Sequence, residues 1–230
     1  MFLFIAFITL VVYVLAIALG LPTDYWWLAL VVSTGMSIGS YFFSDSMVLA
    51  LSGAKELKNT PGQDIFDVVQ NLSIAGGIPM PKVYLISDPA PNAFATGRDP
   101  QHASVCVTSG LLQMMSKTEL EGVIGHELSH VRNYDTRLLV IVSILVGGVA
   151  ILSNWFLRSL FWRERDNERG NGGAILMIIG LIFAILSPII VTLIQLAISR
   201  QREFLADASS ALLTRYPSGL ANALEKLSKY

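Results

Sequence analysis

Charge is scarce in this sequence. Asp, Glu, Lys and Arg make up only 14% of the 230 residues while 53% are hydrophobic, against about 25% charged in an ordinary soluble domain. A water-soluble globule of this size would have nowhere to put so much apolar surface, and that class is excluded. Cysteine is scarcer still. Cys106 stands alone, so no intrachain disulfide can form and the chain is not a cystine-stapled secreted module. A formal net charge of −1, with Lys and Arg scattered along the chain, leaves no basic stripe and excludes a nucleic-acid partner. Histidine occurs three times, so any imidazole cluster must use most of the supply.

What the sequence has in quantity is long apolar runs. Met1–Leu21, Trp26–Phe43, Leu138–Leu160 and Ala174–Ser199 each reach the roughly 18 residues that a membrane span requires, and Arg158 is their only ionised residue. Near a span end that side chain can snorkel to the headgroups. The first run has no basic n-region and no small-residue cleavage site, so it reads as a retained span. The expected fold class is therefore a mainly α membrane protein. It has four transmembrane helices and a small α/β domain, divided as residues 1–43 (two spans), 44–137 (soluble), 138–199 (two spans) and 200–230 (a final helical segment). Four spans put 44–137 and 200–230 on one side of a lipid bilayer. That side carries Lys55, Lys58, Arg132, Arg137, Arg200, Arg202 and Arg215 near the membrane ends, while Arg158, Arg163, Arg165 and Arg169 lie on the other. The balance favours a cytoplasmic location for the soluble part.

Within that part, Thr60-Pro61-Gly62-Gln63 is a helix start, and Ile65, Val68, Val69 and Leu72 fall on one face of the helix that follows. Strands are expected at Lys82–Ile86 and Ser104–Thr108, separated by a Pro-rich turn and a loop through Gly97 and Pro100. Ser116-Lys117-Thr118-Glu119 is a second capping box, opening a helix that runs at least to Arg132.

That helix carries the chemistry. His126-Glu127-Leu128-Ser129-His130 sets two imidazoles at i and i+4, on one face and close enough to share a metal ion. Zinc suits such a pair. A catalytic zinc site keeps one position for water, whose pKa falls toward about 7, so a third protein ligand must come from elsewhere. Glu127 is positioned as the general base. Gly122 and Gly125 leave room on the helix or serve helix packing. His102 belongs to no motif and reads as a surface residue. In Arg200-Gln201-Arg202-Glu203-Phe204-Leu205-Ala206-Asp207, Glu203 and Asp207 again stand at i and i+4. Glu203 would be the third ligand and Asp207 the carboxylate that accepts the free N–H of a ligand imidazole. Two crossings separate His130 from Glu203, which returns them to the same side.

Taken together, the two N-terminal spans, Asn92-Ala93-Phe94-Ala95-Thr96-Gly97, the His-Glu-x-x-His motif, two further spans and Arg202-Glu203-Phe204-x-Ala206-Asp207 resemble the HtpX-type membrane metallopeptidases, relatives of the CAAX-prenyl endopeptidases. The resemblance implies a gluzincin-like zinc endopeptidase with one Zn2+ per chain, held by His126, His130 and Glu203, with Glu127 as base. It also implies a prokaryotic inner membrane, and polypeptide substrates drawn from damaged membrane proteins. From thermolysin-like enzymes it implies that Asn92 and Ala93 belong to an edge strand that holds the substrate backbone. The resemblance implies a further stretch with a His-Pro motif, whose histidine would steady the oxyanion, so a sequence that stops at Tyr230 is either cut short or lacks that donor. A non-catalytic membrane scaffold with a structural metal site is the alternative. Glu127 argues against it, because a closed structural zinc site has four protein ligands and needs no base.

Overall fold

The structure, a computed structural model, describes residues 26–58, 64–142 and 199–230, with isolated positions at 9, 13, 188, 192, 194 and 195. Met1–Leu21, the Thr60–Gln63 helix start, Arg158, most of Leu138–Leu160 and most of Ala174–Ser199 lie outside the described residues. The chain divides into two units, Met1–Phe42 with Ile141–Leu196, and Phe43–Val140 with Ala197–Tyr230. In the first unit the description covers the start of helix α1, Trp26–Leu51, which continues past Phe43 through Ser44-Asp45-Ser46. Trp27, Val31, Ile38 and Phe43 on it are exposed. Among the described residues no helix is long and apolar enough to cross a membrane.

The second unit is a small α/β domain. Its sheet has four strands, β1 (Lys55–Glu56), β2 (Lys82–Ile86), β3 (Ala93–Gly97) and β4 (Ala103–Thr108), in the order β1-β2-β4-β3. β2 and β4 run parallel, whereas β1 and β3 pair antiparallel with them. The expected strand at Ser104–Thr108 starts one residue earlier, and part of the expected loop before it is the edge strand β3. The turn after β3 depends on Gly97, whose φ of +133° suits glycine and whose missing Cβ would strike the His102 carbonyl.

Against one face of the sheet lie α2 (Asp64–Gly76) and α4 (Lys117–Arg132), with the short α3 (Ser109–Met114) leading from β4 into α4. Ile65, Val68, Val69 and Leu72 of α2 are buried, the face their helical spacing specifies, and they meet Val83, Val105 and Val107 of the sheet and Leu120, Ile124 and Leu128 of α4. A Schellman-type end closes α2, with Gly77 at φ +64° and the Ile78 N–H donating to the Ser73 carbonyl. The capping box at the start of α4 forms, the Ser116 N–H donating to Glu119 Oε2 at 2.8 Å. That carboxylate also accepts from Lys226 at 2.6 Å, which holds its pKa below the usual value and ties α4 to the last helix.

Two helices from the end of the chain, α5 (Arg200–Thr214) and α6 (Pro217–Leu227), close on the far side of α4. Small residues set how near they come. A Cβ on Gly122 would lie 2.5 Å from the Leu220 nitrogen and 2.9 Å from the Gly219 carbonyl carbon, and one on Gly219 would lie 2.5 Å from the Thr118 oxygen. Gly125 faces Ser210, whose hydroxyl donates to the Gly122 carbonyl at 2.7 Å. An exposed helical Gly→Ala change gains up to about 1 kcal/mol. At position 122 the collision is with backbone, so we expect Gly122→Ala to destabilise by about 1–3 kcal/mol. Denaturant unfolding of the purified protein checks this, and a stabilised variant would refute the close-packing account.

Candidate metal centre

The helix that carries both motif histidines is the most enclosed in the second unit, covered by the sheet, α2, α5 and α6. Its i, i+4 spacing turns His126 and His130 to the same side, with ring centroids 4.7 Å apart and planes at 84°. Their Nε2 atoms are 3.1 Å apart. From α5, Glu203 Oε2 reaches to 3.4 Å from His126 Nε2 and 3.8 Å from His130 Nε2. His126, His130 and Glu203 thus converge as one donor group. His102 is not part of it. It is exposed and bonds Asp99 Oδ1 at 2.7 Å through Nδ1.

Carboxylates fix the other nitrogen of each ring. His126 Nδ1 lies 2.9 Å from Asp207 Oδ1, one turn beyond Glu203 on α5. His130 Nδ1 lies 3.0 Å from Asp135 Oδ2. An ionised carboxylate only accepts, so each Nδ1 is the donor, and a neutral ring then presents its Nε2 lone pair inward. The two Nε2 atoms then lie 3.1 Å apart beside the Glu203 carboxylate oxygen. Two imidazole nitrogens and a carboxylate oxygen are a donor set that suits zinc. Zinc bonds of about 2.0–2.2 Å to nitrogen and oxygen give tetrahedral edges of roughly 3.3 Å.

Asp135 is absent from the motif reading. Residues 135–142 are helical, but α4 does not run into them. Tyr134 adopts φ 60°, a left-handed conformation uncommon outside glycine, and the turn there brings Asp135 back to His130. The Asp135 side chain is 8% exposed and also accepts from Arg202 Nη1. The available signal was an acid just past the histidine helix and a base next to the ligand glutamate. Spacing alone could not pair them across 67 residues.

Glu127 reaches β3, where its Oε2 accepts the Ala95 N–H at 3.0 Å. Burial pushes its pKa up to about 7, the neighbouring His130 and the Ala95 N–H pull it down, and the Glu203 charge adds to the rise. Asn92 pairs with Thr108, its carbonyl accepting the Thr108 N–H at 3.0 Å and its own N–H donating to Thr108 Oγ1 at 2.9 Å. Antiparallel alternation then turns the backbones of Ala93 and Ala95 outward, to the free edge of the sheet. The Asn92 residue is exposed.

Residues 59–229 match peptidase family M48. The chain is 50% identical over 198 residues to a protein named "Protease HtpX homolog" from Tropheryma whipplei (strain Twist), covering 86% of this chain and 67% of the relative. It is 50% identical over 190 residues to one of the same name from Dictyoglomus turgidum, covering 83% of this chain and 62% of the relative. The chain therefore spans about two thirds of the length of these relatives. Among solved structures, Ste24p of S. mikatae is similar with a TM-score of 0.58 at 18% identity, over 96% of this chain and 55% of that one, a likeness of fold.

Proposed function

The chain belongs to peptidase family M48, of the HtpX type, and on that premise we propose that it is a membrane-embedded zinc-dependent endopeptidase. The observation that carries the reading is the convergence of three ligating atoms from α4 and α5 with a base-capable carboxyl on the adjacent residue. His126, His130 and Glu203 would hold one Zn2+. When bound, zinc supplies Lewis acidity, polarising a carbonyl and making water a nucleophile near neutral pH. Glu127 takes the proton from the attacking water and returns it to the leaving amine, so that one peptide bond and one water become a carboxylate and an amine. A carboxyl whose affinity for protons is raised by burial is suited to both transfers.

The free edge of β3 supports the substrate role of Asn92 and Ala93. An extended peptide laid against it finds the outward N–H and carbonyl of Ala93. At Ala95 the N–H is already engaged by Glu127, so the base sits where the added strand meets the end of the available ladder. Asn92 offers a side chain that can both donate and accept.

The bilayer part of the proposal rests on the four apolar runs and on the exposed apolar side chains of α1. It divides the chain into spans at 1–43 and 138–199 and catalytic segments at 44–137 and 200–230. We propose membrane proteins as substrates, because Glu203 follows the last apolar run by four residues. The histidine helix ends at Arg132, before the left-handed Tyr134, and the Glu203 helix begins after the extended Ser199. Purified full-length protein should cleave an unfolded single-span substrate, lose that activity to a chelator and regain it with zinc. Chelator-resistant cleavage would overturn the metallopeptidase reading. The proposed inner-membrane orientation is cytoplasmic, from the Lys and Arg balance. Labelling of Ser52→Cys by an impermeant reagent added to intact cells would reverse it.

A further inference from the structure

We infer that Arg202 and Asp135 are a positioning pair that decides which nitrogen of His130 faces the metal. This rests on the metal reading above and goes beyond its ligands. The chain of contacts runs from Arg202 Nη1 to Asp135 Oδ1, and from Asp135 Oδ2 to His130 Nδ1 at 3.0 Å. Both carboxylate oxygens of Asp135 are used, one by each neighbour.

Three features point to a purpose other than holding the fold together. Asp135 is buried, with 8% of its side chain exposed, and a buried carboxylate is tolerated where both oxygens are satisfied. Arg202 lies in the first turn of α5, where the helix dipole disfavours a cation, so its place there is explained by the partner across the gap rather than by helix stability. Tyr134 takes a left-handed conformation at the turn that delivers Asp135. In addition, Arg202 and Glu203 are adjacent on one turn, so docking of α5 brings the third ligand and the clamp to the site together.

The mechanism makes an unusual prediction. In Asp135→Asn the amide has a single acceptor oxygen. With Arg202 in place, a guanidinium that only donates draws that oxygen to itself and turns the amide NH2 toward His130. The imidazole must then accept at Nδ1 and carry its proton on Nε2, which removes the lone pair from the donor group. Adding Arg202→Gln frees the Asn oxygen to face His130 and restores the original tautomer. The double variant should therefore bind metal more tightly than Asp135→Asn alone. Damage to a merely structural contact would instead accumulate.

The test uses full-length protein in detergent. Zinc affinity is read by chelator competition, the cobalt-substituted protein by its absorption spectrum, and the tautomer by 15N-histidine NMR of the metal-free protein, which has only three imidazoles. Asp135→Asn should weaken zinc binding about 10–100-fold, with a His130 signal shifted to the Nε2–H form, and Arg202→Gln should recover part of the loss and the signal. Arg202→Lys, which keeps the charge, should fold and show a smaller loss than Arg202→Gln alone. Wild-type affinity and cobalt spectra in both single variants would overturn the inference. So would a double variant weaker than either. Failure of the wild type itself to bind zinc would instead refute the metallopeptidase proposal.

Discussion

Glu127→Gln should retain a full complement of zinc and lose about 10²–10⁴-fold of its cleavage rate. The size is that of general acid–base catalysis by one positioned group. Glutamine keeps the shape of the side chain and can still accept the Ala95 N–H through its amide oxygen, so the edge strand and the carboxamide should stay where they are. What it cannot do is hold a proton in transit. Metal content should not change, because His126, His130 and Glu203 form the donor group and Glu127 is outside it. Metal analysis and single-turnover cleavage of a defined peptide on the same preparation separate the two roles. Loss of zinc in this variant would remove Glu127 from the role of base and make it a ligand.

Glu203→Ala should do the reverse, abolishing stoichiometric zinc binding while the protein remains folded. Loss of a group that merely orients a ligand costs about 10–100-fold in metal affinity, and loss of one of three protein ligands should exceed that. Folding should survive because Glu203 is 53% exposed and contributes little to the core. The helix that bears it is held by other means, including Ser210 against Gly122 and Gly125 and burial of Ala206. Zinc-to-protein ratio and melting temperature, measured together, check both halves. A Glu203→Ala protein that still binds one zinc per chain would show that the third donor lies elsewhere.

The sequence made some parts legible and left others dark for physical reasons. Helix α2 was readable because its apolar residues recur at helical spacing, and the capping box of α4 because a local hydrogen bond leaves a local signature. His126, His130 and Glu203 could be singled out together because each lies in an i, i+4 pair of potential donors on one helix face. Strand β3 was hard to read from pattern. Ala93, Ala95 and Gly97 are small, and its identity comes from a long-range pairing with β4 that no local spacing encodes. Asp135 and Arg202 were missed for the same reason, since each is an ordinary charge until the fold brings them together. The left-handed Tyr134 and the extended Ser199 were equally hidden, because neither residue is a glycine or proline.

Cys106 sits in the middle of β4 with no exposed surface, and burial pushes its pKa up to about 12. A native thiol in that condition offers an alkylating reagent neither access nor thiolate. Single-cysteine labelling at Ser52 can consequently be done against the natural background, without first deleting Cys106. The same residue then becomes a clock. Because modification at Cys106 requires the central strand to open, its rate under native conditions multiplies the intrinsic thiol reactivity by the opening equilibrium. Adding zinc should slow that clock by the extent to which a metal linking α4 to α5 favours the closed domain.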